Sequence, residues 1–366
     1  MKETKLTDIC SIQYGYPFDA SLFSSVSEDG MPLIRIRDVK SGSTSTYYKG
    51  TVINEYIIRK GDFLIGMDGE FNIEPWKSED ALLNQRVCKI DSKSSDVSIR
   101  YIYRFLKKEL KRIEDDTPFA TVKHLSAKRL NQIQLPLPSL SEQEQIVAEL
   151  DLISGIIEKK KQQLKELDSL AQSLFYEMFG NPVENDKGWD VKKLEDVSTL
   201  LNGRAYKQNE LLSEGKYKVL RVGNFFTNDN YYYSDLELDD DKYCDDGDLL
   251  FAWSASFGAF IWNKDKVIYH YHIWKVLYDE NVLDIQYYRY LLNTMTNFFM
   301  KDVHGIGMVH LTKSGMEQYI LPIPPLSLQQ EFASKIKSIE KQKELIKQSL
   351  KDTETLFNSR MNFYFN

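Results

Sequence analysis

His270 and His272 stand one residue apart, a spacing that on a strand turns two imidazoles to the same face, where they could share a metal ion. No cysteine or carboxylate pattern accompanies them, so core or hydrogen-bonding histidines are the default reading. Gly305-Ile306-Gly307 lacks the third glycine of a dinucleotide loop, and the chain has no Gly-x-x-x-x-Gly-Lys-Ser/Thr loop for ATP. The Asn-Pro-Pro-Tyr type of motif that grips a flipped base in amino-methyltransferases is missing too, Asn181-Pro182-Val183 being the nearest string. Cys10, Cys88 and Cys244 are far apart, and no pair has metal-ligand spacing. A chain of this length needs no disulfide staples, so a reducing, cytoplasmic setting is expected. On this reading the chain has no catalytic centre and no metal, and catalysis comes from elsewhere.

What the sequence does supply is one unit written twice. Lys5-Leu6-Thr7-Asp8 and Gly15 recur as Lys193-Leu194-Glu195-Asp196 and Gly203. Leu33-Ile34-Arg35 recurs as Val219-Leu220-Arg221, and Gly61-Asp62-Phe63-Leu64 as Gly247-Asp248-Leu249-Leu250. Tyr103-Arg104-Phe105-Leu106 aligns with Tyr288-Arg289-Tyr290-Leu291, His124-Leu125-Ser126 with His310-Leu311-Thr312, and Leu135-Pro136-Leu137-Pro138 with Leu321-Pro322-Ile323-Pro324. The order is the same in both halves, so two domains are expected. Each begins with short strands rich in Tyr, Phe, Ile and Val, and one helix is expected at Ile99 to Ile113 and at Gln286 to Met300. The Leu-Pro-x-Pro segments cannot continue a helix and read as extended straps. Ser141 and Ser327 are then placed to cap the helices that follow.

Those helices carry a 4-3 apolar spacing. The first seam runs through Ile146, Leu150, Ile153, Ile157, Leu164, Leu167, Ala171, Leu174 and Met178, interrupted by Lys160. The second runs through Phe332, Ile336, Ile339, Lys343, Ile346, Leu350, Thr353 and Phe357. Neither helix hides its stripe alone, so the two should pair; packing of each on its own domain is the plainer alternative. The expected organisation is α+β: a globular domain over 1–140, a helix over 141–180, a linker and second domain over 181–326, and a helix over 327–366. The two domains are joined by two long antiparallel coiled-coil helices.

The net charge of −7 and pI near 5.5 leave no global footprint of a nucleic-acid binder. Charge is segregated, however: the segment from Asp235 to Asp248 holds eight acids against one lysine, so other surfaces are more basic than the total implies. No apolar run approaches the ~18 residues that span a bilayer, and MKETKLTDIC is too polar for a secretory signal. A soluble protein without membrane contact is expected.

Tandem domains, each closed by Leu-Pro-x-Pro and a long helix opening Leu140-Ser141-Glu142-Gln143-Glu144-Gln145-Ile146, resemble the specificity subunits of Type I restriction-modification complexes. Met178-Phe179-Gly180-Asn181-Pro182 and Lys187-Gly188-Trp189 are similar to the family's central conserved region, and Leu328-Gln329-Gln330-Glu331 departs from it where Glu-Gln is usual. The resemblance covers essentially the whole chain. It implies that each domain reads one half of an asymmetric bipartite site on double-stranded DNA and that the helices set the gap. It further implies that two methyltransferase subunits, which bind S-adenosylmethionine, dock on the helices. Restriction/translocase subunits using ATP and Mg would join for cleavage, and this chain would bind no cofactor itself.

Such domains present side chains to base edges in the major groove, Arg to guanine and Asn or Gln to adenine, while Lys and backbone amides hold phosphates. Asp68, Glu70 and Asn72 in Gly66-Met67-Asp68-Gly69-Glu70-Phe71-Asn72, with Ser254 and Ser256 in the matching Trp253-to-Gly258 segment, are candidates, a plain turn being the alternative. Lys123 and His124 in Thr121-Val122-Lys123-His124, and His310 in Met308-Val309-His310, recur ahead of the straps. Arg35, Arg37, Arg86, Arg204, Arg221, Asn224 and Lys313 complete the set, each with a solvated or paired side chain as its plainer reading. Tyr231-Tyr232-Tyr233 fits edge-strand packing better than stacking on DNA. Two other readings are a scaffold or adhesin without DNA binding, which would suit the acidic pI, and a fragment of a single-chain restriction-modification enzyme, which would need catalytic motifs these residues lack.

Overall fold

A computed structural model describes residues 3–117, 123–226, 228–254, 256–302 and 311–366. The chain divides into two compact units, Met1–Lys160 with Ser349–Asn366, and Lys161–Gln348. Each unit therefore takes in a globular α+β part and a stretch of both long helices.

In the first unit, Cys10–Tyr14, Val87–Ser92, Phe63–Gly66 and Asn72–Pro75 form a four-stranded antiparallel sheet in that order. A second sheet runs Phe23–Ser24, Tyr47–Tyr48, Met31–Ile34, Ala81–Leu83, Ile57–Ile58, with one parallel pair that matches Leu33 to Leu82. The second unit repeats this order: Ser198–Asn202, Ile273–Tyr278, Leu249–Ser254 and Ser256–Ile261 in one sheet, and Tyr232–Ser234, Tyr217–Leu220, Val267–Tyr269 and Tyr243–Cys244 in the other. Its parallel pair matches Val219 to Ile268, the same register 186 residues on.

The turn chemistry repeats as well. Gly61 and Gly247 take φ of 96° and 91°, a region open to glycine at little cost, and the next residue's carboxylate accepts the N–H of Arg59 or Asp245 at 2.8 and 2.7 Å. Asp62 and Asp248 also receive Lys89 and Lys275, at 3.0 and 2.6 Å.

The domain helices span Ile99–Asp115 and Ile285–Phe299, and their buried rows are Tyr101, Ile102, Phe105, Leu106 and Tyr287, Tyr288, Leu291, Leu292. The sequence alignment of Tyr103-Arg104-Phe105-Leu106 with Tyr288-Arg289-Tyr290-Leu291 is thus one residue out of step. Tyr101 and Tyr287 are the true counterparts, each donating its hydroxyl to the strap carbonyl of Pro136 or Pro322 at 2.7 and 2.8 Å. The straps themselves pair as edge strands, Gln134–Pro136 with Glu3–Lys5 and Ile320–Ile323 with Asp190–Lys193, where a proline's missing N–H costs no ladder bond.

The long helices are Leu140–Phe179 and Leu326–Phe365. Their caps differ from expectation. Ser139, not Ser141, starts the first: its hydroxyl faces the Glu142 N–H at 3.4 Å while the Glu142 carboxylate accepts the Ser139 N–H at 2.9 Å, a capping box. Ser327 lies inside the second helix, which begins after Pro325, a residue with no N–H to orphan. Both serines lie one residue past the helix start, inside the first turn rather than at the cap position.

The helices pair antiparallel inside each unit. In the first, Glu149 receives Arg360, while Lys160 reaches Ser349 and Thr353. In the second, Asp168 meets Lys343 at 2.7 Å and Phe175 packs on Phe332. The seam residues Ile146, Leu150, Ile153, Ile157, Phe332, Ile336 and Ile339 are buried, and Leu164, Leu167, Leu174, Ile346, Leu350 and Phe357 are half-buried. The apolar spacing missed the largest contributors: Phe175 and Phe179 in the second unit's core, Met361 and Phe365 in the first's. They tie the helices to the domain helices, Phe365 against Tyr101 and Phe175 against Tyr287, so the pairing and domain-packing alternatives hold together.

Candidate nucleic-acid interface

At one end of each unit the chain crosses from one sheet to the other through a three-residue turn, Asn84-Gln85-Arg86 or His270-Tyr271-His272. Val87 N–H closes on Asn84 O at 2.9 Å, and Ile273 N–H on His270 O at 3.0 Å. The strand opposite presents its N–H to the turn's last carbonyl, Met67 to Arg86 and Trp253 to His272, both at 3.1 Å. Gly15 and Gly203 pass so close beneath that a Cβ would lie 2.1 Å from Asn84 O or 2.4 Å from His270 O, which only glycine avoids. The histidine pair sits on this turn rather than on one strand face. Burial, with His272 and Arg221 nearby, lowers the His270 pKa to about 4, and its Nδ1 faces the His272 N–H at 3.4 Å. Among the described residues no grouping of three or more His, Cys, Asp or Glu could hold a metal ion.

In the first unit Asp68 is the hub of this end. Its carboxylate takes Arg86 Nη1 at 2.9 Å through one oxygen and His124 Nδ1 through the other, while Leu125 N–H bonds to Met67 O at 2.7 Å. Asp68 is mostly covered, with 17% of its side chain exposed, whereas the Arg86 and His124 side chains are 55% and 52% exposed. The other candidates near it are engaged by the protein. Lys123 donates to Glu114 O, Glu70 pairs with Lys40 at 3.1 Å in solvent, and Asn72 donates to Glu70 O at 2.8 Å. Arg37 lies 3.7 Å from Asp38; Arg35 gives its backbone N–H to Asp38 and keeps an exposed side chain.

In the second unit Arg204 and Lys313 are also paired within the protein, and the Arg221 Nε is buried without a hydrogen-bond partner among the described residues. Arg204 is clamped by Glu210 at 2.8 and 2.9 Å and lies over Tyr206; the bonds from Arg204, then from the Lys207 N–H, lower the Glu210 pKa to about 2. The Arg221 guanidinium stacks on Tyr232 at 4.4 Å. Asn224 accepts the Arg221 N–H at 2.9 Å and donates to Asn230 O at 2.9 Å, so both ends of its amide are bound to backbone. Lys313 lies 3.6 Å from Glu317. Ser254 is buried with no partner for its hydroxyl among the described residues, and Ser256 faces it across a hairpin tip. His310, with Thr121, Val122, Met308 and Val309, lies outside the described residues.

Beside the second unit's turn is a cleft of about 630 Å³ walled by Trp253, Tyr271, His272 and Trp274, with Asn202 and Lys313 at its polar side. Trp253 and Trp274 stack at 5.3 Å, and Trp274 donates to Asn202 Oδ1 at 2.6 Å. The structure brings the sequence candidates Arg86 and His124 together at Asp68, whereas Gln85, Tyr271 and Trp274, on turn tips and walls with no shared motif, give no linear signal and were not among the candidates. No helix of the described residues is long and apolar enough to cross a membrane.

Comparison with known proteins agrees with the repeat. The family described as the Type I restriction modification DNA specificity domain matches residues 1–168 and again 186–354. The EcoBI specificity subunit of Escherichia coli is 38% identical over 195 residues, 52% of this chain and 41% of that protein. The MjaVIII specificity subunit of Methanocaldococcus jannaschii is 22% identical over 339 residues, 84% of this chain and 79% of that protein. In fold, the chain is similar to the Type I restriction-modification S subunit from M. genitalium, with a TM-score of 0.59, 12% identity and coverage of 100% and 96% of the two chains. A second structure, from work on assembly of a type I R-M system, gives a TM-score of 0.58 at 14% identity over 99% of this chain and 96% of that one. With the family matched once in each half, this protein belongs to the specificity subunits of Type I restriction-modification systems.

Proposed function

We propose that each unit reads one half of an asymmetric, bipartite target on double-stranded DNA, and that the antiparallel helices fix the spacing and dock two methyltransferase subunits. The observation that carries this reading is a constant scaffold with different tips. The turn at 84–86 and the turn at 270–272 share their closing backbone bond and their bond to the opposite strand, yet the last two residues bear an amide and a guanidinium in one and a phenol and an imidazole in the other. Two sites of one design and unlike chemistry suit two unlike half-sites. S-adenosylmethionine, and ATP with Mg for cleavage, then belong to the methyltransferase and restriction/translocase subunits, the chain acts without catalysis of its own, and the complex works in the cytoplasm.

The test is co-expression with the methyltransferase subunit and genome-wide mapping of methylated positions. The expected outcome is a single motif of two short blocks separated by unread bases. A stable complex that binds S-adenosylmethionine but methylates no defined sequence would overturn the reading in favour of a scaffold.

A further inference from the structure

The reading of bipartite DNA recognition leaves open which residues choose the bases. We propose that the turn joining the two sheets is the specificity-determining element of each unit, with Arg86 reading a guanine in the first half-site and His272 reading its counterpart base pair in the second. The inference rests on the proposed function and deepens it.

Three observations support Arg86. It stands on a turn whose backbone is fixed on both sides, by Val87 N–H to Asn84 O and by Met67 N–H to Arg86 O. Its guanidinium is tethered at one nitrogen by Asp68, which is held in turn by His124, while over half the side chain remains exposed. A tethered fork of this kind loses little rotamer freedom when it meets the O6 and N7 acceptors of guanine. Arg204, by contrast, spends both terminal nitrogens of its guanidinium on Glu210. Asp68 is a positioning residue on this account: it aims the fork and touches no base.

His272 occupies the place of Arg86 in the second unit, 186 residues on, with Ser254 where Asp68 stands. With no carboxylate at that position, the second turn offers an imidazole and the Tyr271 ring at the lip of the Trp253 and Trp274 cleft. That chemistry favours apolar contact and a single hydrogen bond over a charged fork, so the two half-sites should differ at this position.

The experiment uses the full chain co-expressed with its methyltransferase subunit, with methylated positions mapped on genomic DNA. Arg86→Ala should relax one base pair of one block, cutting discrimination against the wrong base there by about 10- to 100-fold, while the other block is read as before. His272→Ala should relax one base pair of the other block only. The unaltered block serves as the internal control for folding and assembly. If Arg86→Ala fails to assemble, Arg86→Lys, which keeps the Asp68 ion pair but not the fork, is read in the same way. Unchanged motifs in these variants beside a bipartite wild-type motif would overturn this inference alone, whereas a wild type without a bipartite motif would overturn the functional reading beneath it.

Discussion

Gln143 and Gln329 do the same work 186 residues apart. Gln143 accepts the Ser98 N–H at 2.9 Å and donates to Asp96 O at 3.1 Å and Pro138 O at 2.9 Å; Gln329 accepts the Asp284 N–H at 2.9 Å and donates to Val282 O at 2.9 Å and Pro324 O at 2.8 Å. Each buried amide thus pins the long helix to the strap and to the start of the domain helix. The departure of Leu328 from the family's Glu-Gln opening is harmless because it falls at the Glu142 position and leaves this glutamine in register.

Removing either amide leaves one N–H and two carbonyls without their partner at a part-buried junction. Gln143→Ala should cost roughly 3 kcal/mol, read as a lower urea midpoint for the first unit and faster amide exchange at the start of the Ile99–Asp115 helix. A loss under about 0.5 kcal/mol, the size expected of a surface change, would show that the hydrogen bonds contribute nothing net.

Phe175 packs on Phe179, Tyr287 and Phe332 and is fully buried, while Leu170 on the same helix is 53% exposed. Phe175→Ala should destabilise the second unit by about 3–5 kcal/mol, and Leu170→Ala by less than about 0.5 kcal/mol. Calorimetry on the two variants separates them; similar losses would mean that the helix seam does not depend on its aromatic core.

Lys343 sits in the apolar seam, only 14% of its side chain exposed, and relies on Asp168 at 2.7 Å and Glu340 at 3.3 Å. Burial works against its charge, but the bonds from Asp168 and the field of Glu340 outweigh it and raise the pKa. Asp168→Ala should therefore destabilise more than Lys343→Met, since the first leaves a cation half-desolvated and the second restores the apolar stripe. Equilibrium unfolding of both single variants checks the order, and the reverse order would refute it.

His270 sets a pH dependence. Its folded pKa is depressed to about 4 by burial, with His272 and Arg221 adding repulsion, and Tyr206 and Tyr271 packing on the ring. Its ordinary value is near 6.5, so between pH 6.5 and 4 the unfolded chain takes up a proton that the native state refuses. Stability should fall as pH drops through that window, and His270→Asn should flatten part of the fall. Equal slopes in variant and wild type would remove His270 as the cause.

The repeat, the straps and the long helices were legible because proline, glycine and a 4-3 apolar spacing act locally and leave linear marks. Two local details were not. The shared Tyr-Arg-x-Leu string sets Tyr103 against Tyr288, one residue out of register in the domain helix, and the Tyr101 and Tyr287 hydroxyls on the strap prolines give the true register. Ser139 and Ser141 are equally good caps on paper, and the start of the helix picks Ser139. At the candidate site, residue type alone put Arg86 and His124 among the candidates, and the structure brings both to Asp68. That Asn224 and Lys123 are already bonded within the protein, and that Asp68 supports Arg86, depends on contacts between segments far apart in sequence.

Exchange of residues 186–326 for the equivalent stretch of another family member tests modularity. The cut points suit it: Asp190–Lys193 pairs with Ile320–Ile323, so both strands that close the second domain travel together. What the graft must satisfy is the aromatic floor, where Tyr287 and Tyr290 meet Phe175 and Phe332 of the retained helices. A donor with aromatic or large aliphatic side chains at those two positions should assemble, and methylation mapping should then show one block replaced and the other untouched at the same spacing. A change in both blocks would mean that the halves do not read independently, and a changed spacing would move the ruler out of the helices and into the domain.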